Sequence, residues 1–294
     1  MAEQMSPRAP RLLVAEGNAA EARSRRVEIA GATYSEGYAE VLRSLMPDAV
    51  VDICYPADPG ANLPDAAGLA GYDGVAITGS SLNVYNGGPE VMRQVDFARA
   101  VFASGVPFFG SCWGLQVATA AAGGTVRRSP KGREMGLARK IVLTEAGRGH
   151  PLHAGKGPVF DAPAIHTDEV DARPAGMTVT ATNGFSEVQA AEIRHDGGCF
   201  WGVQYHPEFT LAEIAIIVAN RRETLVQEGL FREAADIDAY VADVKALAAD
   251  PGRADIAWRL GFDADVLDTE RRTMELRNWL TAMVLPTMSA RGRA

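Results

Sequence analysis

The chain reads as an α/β fold: a central sheet, parallel or mixed, with helices on both faces and a helical extension at its C-terminal end. Three observations predict it. Near-continuous apolar runs rich in β-branched or aromatic residues, as strands covered on both faces require, alternate with helix-like segments over the first 124 residues. Beyond them come shorter strand-like runs among irregular polar loops, which fit a mixed or antiparallel addition to the sheet. From about residue 210 onward the pattern is helical.

The first strands are "RLLVAE" (11–16), "AVVDICY" (49–55), "GVAIT" (74–78) and "VPFFGS" (106–111), each ending in turn formers. Residues 18–33 carry little apolar periodicity and read as a mobile loop. The helices between are 35–46, opening on Ser35 as a cap, and 89–104, opening on Pro and Glu. A helix at 115–124 closes on two glycines. Later strands are expected at 138–144, 177–182, 187–193 and 199–206, and the last strong helix at 271–283. The division expected is a main domain over 1–231 and a helical extension over 232–294, which packs through Leu276, Trp279 and Leu280 on the main domain or on a second copy.

With 47% hydrophobic and 22% charged residues the composition is that of a globular protein, and a net charge of -8 excludes a nucleic-acid or anionic-membrane surface. The apolar run at 214–219 falls far short of the roughly 20 residues that span a bilayer. The N-terminal apolar run is too short for a secretory signal core, so a cytoplasmic location is expected. The 3 cysteines are widely spaced with no C-x-x-C pair, which predicts reduced thiols and no zinc site.

One thiol differs from the others. In "FFGSCWGLQ" a strand turns sharply into a helix at Cys112, with Gly110 and Gly114 leaving room for strand and helix to approach. This is the nucleophile-elbow frame G-x-S-x-G with sulfur for oxygen, and a thiol at a helix N-terminus meets unpaired N–H groups that favour the thiolate. Cys54 and Cys199, inside strand-like runs, read as buried inert thiols.

A base for that nucleophile is expected among the 5 histidines. "WGVQYHPE" sets His206 at the end of an apolar strand, and strand alternation places Glu208 on the same side to orient the ring. Cys112, His206 and Glu208 then form nucleophile, base and orienter. His150 and His153 read as loop residues without further metal ligands, and His195 as a hairpin turn.

On "GSCWGLQ" and "GVQYHPE", supported by "ITGSSLNVYN", "SPKGREMGL" and "AIHTDEV", residues 11 to about 230 resemble a class I glutamine amidotransferase domain, like the amidotransferase part of GMP synthases. The resemblance implies a flavodoxin-like sheet. It also implies attack of the Cys112 thiolate on a γ-amide and hydrolysis of the resulting γ-glutamyl thioester, with no cofactor and no metal. It places an oxyanion hole at Trp113 and near Gly79 and Ser80, where one lost donor costs about 3 kcal/mol. Gln116, His166 and Asp168 fall where relatives hold the amino-acid end of the substrate, with Asp168 suited to an amino group; His166 reads equally as a capped loop histidine. Two departures stand out: the oxyanion loop is Gly79-Ser80-Ser81 rather than two glycines and a proline, and the bulk of Trp113 implies a narrowed or reshaped acyl pocket.

Full amidotransferases join this domain to a synthetase, for which the remaining residues leave no room; "GHPLHAGKG" (149–157) is not a phosphate loop, and no pyrophosphatase loop is present. Three functions remain open. One is a hydrolase of glutamine or a related γ-glutamyl compound, another a glutaminase subunit feeding ammonia to a separate synthase, and the third a non-catalytic binding module on the same scaffold. The partners expected are a small γ-glutamyl substrate, a synthase in the second case, and a second copy through the C-terminal helices.

Overall fold

Strand β1 (Arg11–Ala15) splits its side chains between two cores, Leu12 and Val14 to one face and Leu13 and Ala15 to the other, because successive residues of a strand alternate. A computed structural model describes residues 8–61 and 63–292. The start of the segment read as lacking a signal core and the last two residues of the extension lie outside them. No helix of the described residues is long and apolar enough to cross a membrane.

Parallel pairing joins β2 (Val50–Cys54), β1, β3 (Gly74–Ile77) and β4 (Phe108–Ser111) to β11 (Gly198–Val203). Beyond β11 the sheet turns antiparallel through β10 (Ala190–His195), β9 (Met177–Thr182), β6 (Glu134–Leu143) and β7 (Val159–His166). The nine-stranded order is β2-β1-β3-β4-β11-β10-β9-β6-β7, and β5 (Val126–Arg128) pairs with β8 (Asp168–Val170) in a separate ribbon. The mixed sheet expected from the sequence is the one observed; β5, β7 and β8 were not among the expected strands.

Residues 18–33 do not form a loop. Ala20–Ala30 is helix α1, closed by Gly31 at φ 78°. None of its residues is buried, so no apolar stripe announces it. Arginines hold it instead: Arg23 pairs with Asp58 at 2.5 Å and stacks over Tyr55, and Arg26 pairs with Glu213 and stacks over Tyr34. Helix α2 (Tyr34–Leu45) is capped by Thr33 rather than Ser35. Thr33 and Glu36 form a reciprocal capping box, while the Ser35 N–H donates to Glu16 Oε2 at 2.8 Å.

Helices α3 (Ala66–Ala70), α4 (Pro89–Ser104) and α5 (Trp113–Ala121) follow, with α4 and α5 covering one face of the sheet. The other face is covered by α2 together with the end of the chain: Leu276, Trp279, Leu280 and Val284 share a core with Leu12, Val14 and Phe109. The helix expected at 271–283 runs from Met274 to Ala290, widening into a π-helical turn at Leu280–Val284. Lys156 fastens it from the main domain through a buried ion pair with Glu275 at 3.1 Å, and the Tyr205 hydroxyl donates to the same oxygen at 2.7 Å. The tail therefore completes the core of this chain.

Candidate active site

Neighbouring parallel strands β3, β4 and β11 end at one edge, and the chain after each delivers Gly79, Cys112 and His206 to a single pocket of about 630 Å³. Crevices at the carboxyl ends of parallel strands are where open α/β sheets bind ligands.

Cys112 sits at φ 52° and ψ -99°, a left-handed backbone that a side chain adopts only under constraint. The constraint is visible. Its N–H donates to the Val203 carbonyl of β11 at 2.7 Å, and a Cβ on Gly110 would meet Gly114 at 2.7 Å. The elbow read from the sequence is the observed strand-turn-helix, with the thiol at the start of α5 and 6% exposed. Cys54 is buried as expected, whereas Cys199 is only partly buried and lies against Glu192; burial pushes the pKa of both thiols up to about 12, with the Glu192 charge adding to it at Cys199.

Strand β11 stops at Val203, so His206 and Glu208 do not meet by strand alternation as expected. A turn brings them together: the Phe209 N–H closes on the His206 carbonyl at 3.2 Å, and the His206 N–H is anchored on the Pro163 carbonyl at 2.7 Å. Nδ1 of His206 lies 2.7 Å from Glu208 Oε1. The other carboxylate oxygen accepts from the Ser111 hydroxyl at 2.9 Å, which in turn lies 3.2 Å from the Tyr38 hydroxyl. Phe209 stacks on the imidazole at 3.9 Å between centroids. Burial alone would push the His206 pKa down; the Glu208 charge and the hydrogen bonds of the ring with Cys112 and Glu208 outweigh it and raise it to about 10. Ser111 and Tyr38 escaped the sequence reading because nothing in the spacing of 38, 111 and 208 links them.

Gly79 faces the imidazole so closely that a Cβ there would lie 2.8 Å from His206 Cε1. The Gly79 and Ser80 N–H groups find no acceptor among the described residues. The loop that carries them is held by Asn18, whose Oδ1 accepts from the Ser81 N–H at 3.0 Å. Trp113 does not narrow the pocket. Its indole is fully buried in the core behind the loop and donates to Gln94 Oε1 at 2.8 Å; only its N–H, in the first turn of α5, is oriented by the elbow.

Gln116, His166 and Asp168 all line the pocket. The Gln116 side chain donates to the Asp168 carbonyl and to Gln204 Oε1, both at 3.3 Å. His166 is spent on the protein at both nitrogens, Nδ1 at 2.9 Å from the Asp168 carbonyl and Nε2 at 2.8 Å from Glu134. The Asp168 carboxylate accepts from Asn83 at 2.6 Å and from the Tyr85 hydroxyl at 3.2 Å. Arg128 is directly opposite Asp168 in the β5/β8 ribbon and also lines the pocket. A buried sulfur, an imidazole oriented by a carboxylate and nearby unpaired N–H groups together suit addition to a carbonyl carbon.

Comparison with known proteins agrees with this geometry. The family model described as "Glutamine amidotransferase class-I" matches residues 32–220. A γ-glutamyl-L-1-hydroxyisopropylamide hydrolase from a Pseudomonas species is 35% identical over 284 residues, covering 94% of each chain. A glutamine-hydrolyzing GMP synthase from Salmonella arizonae is 32% identical over 176 residues, 57% of this chain and only 33% of that protein. The structure of a glutamine amidotransferase from Thermotoga maritima superposes with a TM-score of 0.62 at 18% identity, covering 94% of this chain and 98% of that one, a likeness of fold.

Proposed function

The chain belongs to the class I glutamine amidotransferase family, and from that premise we propose that it hydrolyses a γ-glutamyl amide through a thioester on Cys112. The observation that carries this reading is the buried contact between His206 and Glu208 at the elbow thiol, with the imidazole raised to about 10. At neutral pH such a ring is an imidazolium, the counter-ion a thiolate needs.

The sulfur adds to the γ-carbonyl carbon, and the oxyanion formed is received by the N–H groups of Gly79 or Ser80 and Trp113. The C–N bond breaks as the His206 imidazolium gives its proton to the departing nitrogen. Water then attacks the thioester carbon while His206 takes a proton from it, the C–S bond breaks, and glutamate leaves. Glu208 keeps Nδ1 of His206 engaged, so the ring exchanges protons at the nitrogen facing the sulfur. Asp168 receives the α-ammonium group and Arg128 the α-carboxylate; Gln116 and His166 position Asp168 through its carbonyl.

The match over 94% of both chains to a hydrolase named for a γ-glutamyl amide favours hydrolysis without a synthase over a glutaminase subunit. The main domain at 1–231 carries these groups and the 232–294 extension supports them by closing the core. Reduced thiols at all three cysteines accord with a cytoplasmic enzyme. Purified protein given γ-glutamyl amides should release glutamate without any partner, and acid quenching should trap a γ-glutamyl adduct on Cys112. A Cys112→Ala variant that kept wild-type turnover would end the proposal.

A further inference from the structure

On the His206 side of the pocket the lining includes Tyr34, Arg26, Arg221, Ile216 and Ile217. Phe209 links this wall to the imidazole, stacking on His206 and lying 5.8 Å from the Tyr34 ring. The departing nitrogen takes its proton from that imidazole, so the amine half of the substrate extends along this wall. A volume of about 630 Å³ is room for far more than ammonia.

The charges along the wall do not balance. Arg26 is paired with Glu213, and Arg133 forms a bidentate pair with Glu228 at 2.7 and 2.9 Å. Arg221 has no carboxylate within ion-pair distance among the described residues; its side chain makes one long contact, Nη1 to the Ile217 carbonyl at 3.5 Å. Burial pushes its guanidinium below the usual range, and Arg133 and Arg26 add to the effect. A partly buried cation without a counter-ion is costly unless a ligand supplies one. Ile216 and Ile217 line the same pocket and give it apolar surface close to Arg221 in the chain.

Resting on the hydrolase reading, we infer that Arg221 binds a carboxylate on the amine half, so that the preferred substrates are γ-glutamyl amides of amino acids whose acid group is separated from nitrogen by a short apolar chain. Arg221 is then a specificity-determining residue.

The test compares γ-glutamyl-β-alanine with γ-glutamyl-β-alaninamide, which differ in charge and hardly in shape. Wild-type kcat/KM should favour the acid by about 10-fold or more, chiefly through KM. Arg221→Gln should bring the ratio of the two near one, and Arg221→Lys should restore part of the preference. Equal kcat/KM for the two amides in wild type, or a ratio unmoved by Arg221→Gln, overturns the inference and leaves the hydrolase reading standing. Failure of wild type to cleave either amide or glutamine overturns both.

Discussion

The corner that holds Cys112 and the rim that faces it share one pocket but are held by different forces. At the corner Ser111, Cys112, His206 and Glu208 are 0%, 6%, 2% and 9% exposed, and each is fixed by short hydrogen bonds to neighbouring strands or to one another. At the rim α1 buries no residue and is held by arginine ion pairs and stacking on tyrosines. Buried, mutually satisfied polar groups hold one geometry, whereas α1 has no apolar core of its own and depends on a few ion pairs and ring contacts. On the proposed reading the contrast separates reaction chemistry, assigned to the buried corner, from substrate choice, assigned to the rim.

The largest test of that separation is at Glu208. Glu208→Gln should lower kcat/KM by about 10³-fold or more, since the imidazole loses its orienting anion. Because the Glu208 charge raises His206 to about 10, a pH profile of kcat/KM should fall at about 10 in wild type and at lower pH in the variant. The same shift makes a statement about stability. The contribution of His206 is fully present below its ordinary value of 6.5 and is lost as pH rises through about 10. An unchanged alkaline limb in the variant would break the corner's electrostatic account.

A smaller effect is expected at Gly79, where a Cβ meets the ring 2.8 Å away. Gly79→Ala should displace His206 and cost roughly 10- to 100-fold in kcat while circular dichroism shows an intact fold. Normal kcat would mean that the loop, and not the imidazole, gives way. The smallest effect belongs to the rim. Arg26→Gln, which releases α1 from Glu213, should raise KM by about 2- to 5-fold with a lesser change in kcat. A loss as large as that at Glu208 would erase the distinction between the two regions.

Legibility in the sequence follows the same boundary. The elbow at Cys112 was readable because two glycines bracket a thiol between a strand-like run and a helix. His206 and Glu208 were readable by spacing, although a turn rather than a strand joins them. Helix α1 was not readable, since hydrophobic periodicity marks only helices that bury an apolar face, and this one buries none. Trp113 was misread for a related reason: its bulk was known but its direction was not, and Gln94 draws the indole into the core.

By itself the sequence determined the alternation of strands and helices, the strained turn at Cys112 and the residue types proposed to carry the chemistry. These depend on backbone preference and local period, which a few adjacent residues express. Tertiary structure alone decided that Tyr38 and Ser111 support Glu208, that Asn18 holds the loop at Gly79, that Glu275 and Trp279 close the core, and that Arg221 faces the pocket with no ion-paired carboxylate among the described residues. Such contacts join residues tens to hundreds of positions apart, and their partners are chosen by packing of the whole chain.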